Sequence, residues 1–179
     1  SDWVGNSVTS DDIITPRMVD HFKQTLGEHC FKLNDVPPGM HWCLAPGAVG
    51  PDALGPDGHS KLGSFLPEIP YARRMWAGGW LEFYDDFKIG DHVKRHSQID
   101  DITFKSGKSG NLCFVAITHE FSVDGGIKLR ERHDVVYREE VTPAPVLASI
   151  ADSQAAHRWH VDTNTVMLFR YSALTFNGH

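Results

Sequence analysis

This sequence predicts an α+β domain in which one helix lies on a face of an antiparallel sheet. Three observations lead there. A well-capped helical stretch stands near the N-terminus. Residues 80–138 are dominated by β-branched, aromatic and alternating segments. Short Gly-rich turns join those segments, so consecutive strands pair as an antiparallel meander.

The helix is expected over residues 15–27. Thr15 is a good N-cap, Pro16 suits the first helical position, and Gly27 can end the helix. Met18, Val19, Phe22 and Leu26 then form one apolar stripe. Strands are expected at Trp80–Phe87, His92–Lys105, Leu112–Val123 and Ile127–Arg138. The turns between them are Gly90-Asp91, Ser106–Gly110 and Asp124-Gly125-Gly126. Residues 139–156 read as a linker or a weak helix, and a new apolar strand is expected from Val166 to Phe169.

Residues 34–79 have another character. Most of the chain's ten prolines fall here, with many glycines, so a long irregular excursion is expected. It also carries Trp42, Phe65, Leu66, Tyr71 and Trp76, too much apolar surface for a solvated linker. Ordered loops of this length tend to serve a site, and this one is expected to pack over the domain and line something.

The 179 residues fit one domain, or one domain and the start of another, and 41% apolar content supplies a core. A net charge of −6 argues against a nucleic-acid partner or an anionic membrane surface. No stretch approaches the roughly 18 apolar residues of a membrane span. Ser1–Gly5 has neither the basic nor the apolar region of a signal peptide. Three cysteines without CxxC spacing fit a reducing compartment, the cytoplasm or the mitochondrial matrix.

Several constellations invite chemistry. Gly107-Lys108-Ser109 looks like the end of a phosphate loop, but the required upstream glycine is Ile102, and the segment lies between strands. His92 and His96 would share a strand face too far apart for joint ligation, and His157 and His160 could meet on a helix. Neither pair has a third ligand at familiar spacing, so no metal site is expected. Asp85-Asp86 and Asp100-Asp101 read as solvated turn pairs, because neighbours on a strand point to opposite faces. Arg73-Arg74-Met75-Trp76-Ala77-Gly78-Gly79 is more suggestive. Arginine grips phosphate or carboxylate bidentately, and glycine admits close backbone approach. At the other end, Thr175, Asn177 and His179 are polar groups able to move protons after an apolar run that includes Arg170 and Tyr171.

Those two clusters carry a resemblance. Leu54–His59, Gly63–Pro67, Arg73–Gly79, Leu81–Phe83 and Ile89–Asp91 resemble the N-terminal half of the MaoC-like acyl-CoA hydratase/dehydratase family. The nearer likeness is to its subgroup of mesaconyl-C4-CoA hydratases and mitochondrial-type hydroxyacyl-thioester dehydratases. The opening Asp2–Gly5 and the segments Lys105–Phe114 and Leu129–Glu139 are similar as well.

The resemblance implies a hot-dog fold, two such halves in one chain, and an acyl-CoA hydro-lyase that needs no cofactor beyond its CoA thioester substrate. It implies an N-terminal hot-dog half at residues 1–156, then a linker and the first strand of a second half at 157–179. Ser172–His179 is similar to the start of the hydratase motif, with Asn177 at the Asp-type position and the catalytic histidine beyond His179. Catalytic roles then fall to Asn177, His179 and Thr175. Substrate contacts fall to Arg73, Arg74, Trp76, Gly78, Gly79, Arg170 and Tyr171. A homodimer or a pair of hot-dog halves is the expected assembly. The other reading is a non-catalytic acyl-thioester-binding or scaffold half that depends on a partner.

Overall fold

Five strands and two helices organise the chain, as seen in a computed structural model that describes residues 2–30, 35–71, 73–107, 110–139 and 156–177. The strands are β1 (Ser7–Ile13), β2 (Arg73–Phe83), β3 (His92–Gly107), β4 (Gly110–Val123) and β5 (Gly126–Arg138); the helices are α1 (Pro16–Leu26) and α2 (Thr165–Thr175). The sheet is antiparallel throughout, in the order β1-β3-β4-β5-β2. The fold is the expected α+β hot dog, a helix laid on an antiparallel sheet.

The helix forms where its caps dictate. The Thr15 hydroxyl accepts a hydrogen bond from the Met18 backbone N–H at 3.2 Å, Pro16 opens the helix, and Gly27 closes it at φ 58°. Val19 and Phe22 are buried against Val93, Phe121 and Leu129 at one end of the sheet. The meander β3-β4-β5 follows the expected strands to within two residues at each end.

Three elements depart from expectation. Arg73–Gly79 is strand, not loop: β2 begins at Arg73 and ends at Phe83. Its glycines read as breakers but serve the pairing. A bulge separates Trp76 from Gly78, and a Cβ on Gly79 would lie 2.1 Å from the Arg132 carbonyl oxygen. β1 was not expected, because a polar edge strand lacks the apolar alternation that marks a buried one. Val166–Phe169 lies in a helix, not a strand. Asn164 caps α2 by accepting from the Met167 N–H at 2.9 Å, and Tyr171 and Leu174 pack against the α1 cluster. A short apolar run does not by itself separate strand from helix.

His157 and His160 lie in irregular chain, so the helix on which they might meet is not formed. Lys108, Ser109, His179 and most of the 139–156 linker lie outside the described residues.

The topology explains the Pro/Gly-rich excursion. β1 occupies one edge of the sheet and β2 the other. The chain between them must cross the full width, about 19 Å for four inter-strand steps. It does so over the inner face. Ile69 is buried there with Leu62, Phe65, Leu66 and Tyr71 beside it, over Ile99, Cys113, Val115 and Tyr137. The inner face thus carries two apolar clusters, one under α1 and one under residues 62–71.

Gly79→Ala should detach β2 from β5, since the new methyl group meets backbone that has no room to yield. The expected loss exceeds about 2 kcal/mol by urea unfolding, with Gly78→Ala, whose Cβ meets nothing within 4 Å, as the milder control.

Candidate functional site

Between the two apolar clusters the register sets a polar row across the inner face. Ser97 pairs with His119, His119 with Glu131, and Glu131 with Leu81. Arg95 and His133 flank this row on the same face, on β3 and β5. Ser97, His119 and Glu131 are each 4% exposed. Polar side chains at that depth need partners.

Glu131 finds them. Its Oε1 accepts from Trp42 Nε1 at 2.8 Å and from His133 Nε2 at 2.6 Å; its Oε2 lies 3.5 Å from His41 Nε2, an ion-pair distance with no hydrogen bond. Burial alone would raise its pKa. The polar groups of His133, His41 and Trp42 outweigh that and hold the carboxyl well below the usual range. Glu131 is therefore an anion at any working pH. His133, half-buried, keeps Nδ1 as its other ring nitrogen.

His119 behaves oppositely. Its Nδ1 lies 2.7 Å from Ser97 Oγ and 3.3 Å from an Arg95 terminal nitrogen. Arginine only donates, so Nδ1 accepts and the proton sits on Nε2. Burial, then the Arg95 and His133 charges, push its pKa down to about 3. The ring meets His133 edge-on at 4.8 Å.

Arg95 reaches the Ala45 carbonyl at 3.4 Å, stacks 5.6 Å from the Phe121 ring, and has no acceptor for its buried Nε. Ala45 holds an uncommon positive φ of 45°, fixed by Asp12 Oδ2, which accepts its N–H at 2.7 Å.

These groups open onto a cavity of about 730 Å³, walled by Arg95, Ser97, Ile117, His119 and His133 from the sheet. Ala45–Gly47, Leu54, His59–Lys61 and Ser64–Leu66 of the excursion cover it, with Arg74 and Phe176 also on its wall. That volume suits a small-molecule ligand. No cysteine lines it. Cys30, Cys43 and Cys113 are all buried, and burial pushes their thiols up, Cys43 to about 11, which makes them poor nucleophiles.

Of the sequence-derived site residues, Arg74 lines this cavity, 3.7 Å from Asp57 and beside Tyr137. Gly78 lines a smaller depression on the other face, with Lys105, Arg132 and Asp134. Gly79 is held against β5, and Arg73 and Trp76 stand exposed on the same strand. Tyr171 packs against Phe22 with ring centroids 6.4 Å apart, and Arg170 is exposed. The Thr175 hydroxyl donates to the Tyr171 carbonyl at 3.0 Å, and Asn177 is exposed next to cavity-lining Phe176. Among the described residues of that set the structure places Arg74 alone on the cavity wall. It assembles Arg95, Ser97, His119, Glu131 and His133 instead. Their signal was present as polar residues at core-facing positions of alternating strands.

Residues 39–179 match the sequence profile of hydroxyacyl-thioester dehydratase type 2. The chain belongs to this family. Mesaconyl-C(4)-CoA hydratase of Chloroflexus aurantiacus is 38% identical over 146 residues, which is 80% of this chain and 52% of that protein. The mitochondrial hydroxyacyl-thioester dehydratase type 2 of Schizosaccharomyces pombe is 26% identical over 205 residues, 96% of this chain and 68% of that protein. The chain thus spans about half the length of the first relative and two thirds of the second. A MaoC-like dehydratase from Phytophthora capsici shares the fold at TM-score 0.62 and 13% identity, over 96% of this chain and 61% of that one. The ChsH1–ChsH2 complex of Mycobacterium tuberculosis shares it at TM-score 0.58 and 12% identity, over 82% and 88%.

Within this family member the buried histidine sets a pH dependence. His119 titrates near 6.5 when unfolded and near 3 when folded. Above pH 6.5 neither state holds the proton, and stability is at its full value. As pH falls below that, only the unfolded chain binds the proton, so stability drops by at most about 1.4 kcal/mol per pH unit until pH 3. The Glu131 contribution is present above its unfolded pKa near 4.5 and is lost only below it. Urea midpoints should therefore fall between pH 7 and pH 5, and His119→Gln should flatten that slope.

Proposed function

We propose that this chain is the acyl-holding half of a hydratase/dehydratase that adds water reversibly across a double bond conjugated to a CoA thioester. The observation that carries the reading is an imidazole, His133, oriented by a buried carboxylate on the wall of a cavity of acyl-chain size. Membership of the family and the activities named for the Chloroflexus and Schizosaccharomyces relatives support the same chemistry, with a mesaconyl-type or hydroxyacyl thioester as substrate.

In the hydration direction a base takes one proton from water as the water oxygen bonds to the β-carbon. The displaced electron pair gathers on the thioester carbonyl oxygen, and the α-carbon then accepts a proton. His133 suits the first task, because Glu131 engages Nε2 and leaves Nδ1 as the acceptor. Glu131 also stabilises the imidazolium that forms. Thr175, Asn177 and His179 are the second polar set for this reaction, with Asn177 orienting water or the acyl carbonyl beside Phe176. Arg74 binds the CoA phosphates. The addition exchanges no electrons with an outside acceptor, so it calls for no redox cofactor.

The test is loss of the conjugated enoyl-thioester absorbance when this polypeptide meets crotonyl- and mesaconyl-type CoA. His133→Asn should lower turnover at least about a hundredfold while thioester affinity stays within twofold. Binding with no hydration by the unaltered chain would favour the alternative, a non-catalytic acyl-thioester-binding half. No binding by folded protein would overturn both.

Pairing of halves belongs to the same proposal. Among the described residues β2 pairs only with β5, so its outer edge is open along Arg73–Phe83. Trp76 is 68% exposed on it, with Trp80 and Phe83 exposed nearby. An apolar open edge of this length favours association. The chain should sediment as a dimer at micromolar concentration, and Trp76→Lys with Trp80→Lys should yield monomers.

A further inference from the structure

Residues 53–61 form a hairpin closed on itself. The Lys61 N–H donates to the Ala53 carbonyl at 2.9 Å, the Gly55 N–H to the His59 carbonyl at 2.7 Å, and the Gly58 N–H to the Gly55 carbonyl at 3.0 Å. Leu54 and Ser60 form a β-bridge, and Lys61 Nζ reaches the Asp52 carbonyl at 2.7 Å. Leu54, Gly58, His59, Ser60 and Lys61 line the cavity, yet no residue of the hairpin belongs to either apolar cluster. Among the described residues, its polar tie to the sheet is Asp57 Oδ2, 3.7 Å from Arg74 Nε.

The arms that carry the hairpin are loose and its anchors are not. Leu44 and Ala45 are buried on one side, and Ile69 on the other. Residues 47–54 are exposed, and a Cβ on Gly47 or Gly50 would meet nothing within 4 Å. Gly63 turns the second arm at φ 92°. Glycine-bearing arms around a self-contained hairpin are the parts of a hinged flap. The tie itself is easily exchanged. At 3.7 Å the pair makes no hydrogen bond, and the Asp57 carboxylate is half exposed. Asp57 Oδ1 accepts from the His59 N–H at 3.2 Å, so the carboxylate travels with the turn. A phosphate group meets a guanidinium bidentately and with more charge than a single carboxylate.

We propose that residues 53–61 are a flap over the cavity, held down by Asp57 on Arg74 and released when a phosphate anion takes Arg74 from Asp57. This rests on the thioester reading, which gives Arg74 the CoA phosphates, and adds the regulation of that site. Latch and anion compete for one guanidinium. Loss of the latch therefore strengthens anion binding, and anion binding loosens the flap by the same factor. The phosphate end of the ligand unlatches the flap, and the acyl end enters past it.

The experiment places nitroxide labels at Asp52→Cys, next to the flap, and Gln98→Cys, on β3. Both positions are exposed, and the three native thiols are buried. Pulsed dipolar spectroscopy should give one narrow distance distribution for this labelled chain. Sodium pyrophosphate, the probe, should add a longer and broader population, and sodium chloride at equal ionic strength should not. Asp57→Asn in the labelled chain should show that population with no pyrophosphate, and should bind pyrophosphate about fivefold tighter by calorimetry. Arg74→Gln should also show it and should lose the pyrophosphate response. If Arg74→Gln fails to fold, by near-ultraviolet dichroism, Asp57→Asn carries the comparison alone. Tighter pyrophosphate binding by Asp57→Asn with unmoved distances would make Asp57 a mere neighbouring charge and overturn the flap. Release by sodium chloride to the same extent would overturn the anion's part in it. Crotonyl-CoA separates the two readings. Release by pyrophosphate without binding of crotonyl-CoA keeps the flap and removes the thioester function. Binding of crotonyl-CoA that leaves the distances unmoved keeps the thioester function and overturns the flap.

Discussion

The buried Glu131 carboxylate organises the inner face. It accepts from Trp42 and His133, and His41 lies at ion-pair distance. Trp42 and His41 belong to the turn Met40–Cys43, which launches the long excursion, and His133 belongs to the sheet. One carboxylate therefore pins the start of the excursion to β5. Removing a partner from a buried charge of this kind costs about 3–5 kcal/mol, because the charge remains without its compensation. The polar row also interrupts the apolar packing. Residues under α1 and residues under 62–71 form separate clusters on either side of it. The cavity opens along the same row, with Ser97, His119 and His133 on its wall.

Histidines 119 and 133 touch each other, yet their surroundings divide their roles. For His119, burial and the Arg95 and His133 charges outweigh the Glu131 carboxylate, so it stays uncharged and serves as an acceptor for Arg95 and Ser97. His133 is half open, and its Nε2 lies 2.6 Å from the Glu131 carboxylate. Arg95 depends on the first arrangement, since a protonated His119 would repel it. The turn at Ala45 adds to this. Asp12 holds Ala45 in a left-handed conformation, and the carbonyl that follows reaches the guanidinium.

Much of the fold was legible in the residues. Thr15, Pro16 and Gly27 bracket α1 as capping chemistry requires, and the Gly-rich turns mark the hairpins of β3, β4 and β5. What could not be read had physical causes. Ser7–Ile13 is an edge strand with little buried surface, so it has no apolar alternation to show. Gly78 and Gly79 look like breakers until the bulge and the close approach of β5 are known. The 165–175 helix hides because a run such as Val166–Phe169 suits either periodicity. The site was less legible. Arg74 is on the cavity wall, but Arg95, Ser97, His119, Glu131 and His133 come from three strands. Only the pairing register sets them side by side, and no local motif encodes that.

The buried thiols give the two clusters separate clocks. Cys30 and Cys43 sit in the cluster under α1, while Cys113 sits in the one under residues 62–71. Thiolate is scarce and shielded at all of them while the chain is folded. An alkylating reagent therefore reads the rate at which each cluster opens to solvent, with the site of adduct formation telling which one opened. Because the polar row separates them, the helix end and the excursion end of the sheet can breathe at different rates. A ligand in the cavity, which Arg95 and the excursion both line, would be read in the same way, by how far it changes the rate of adduct formation at each cysteine.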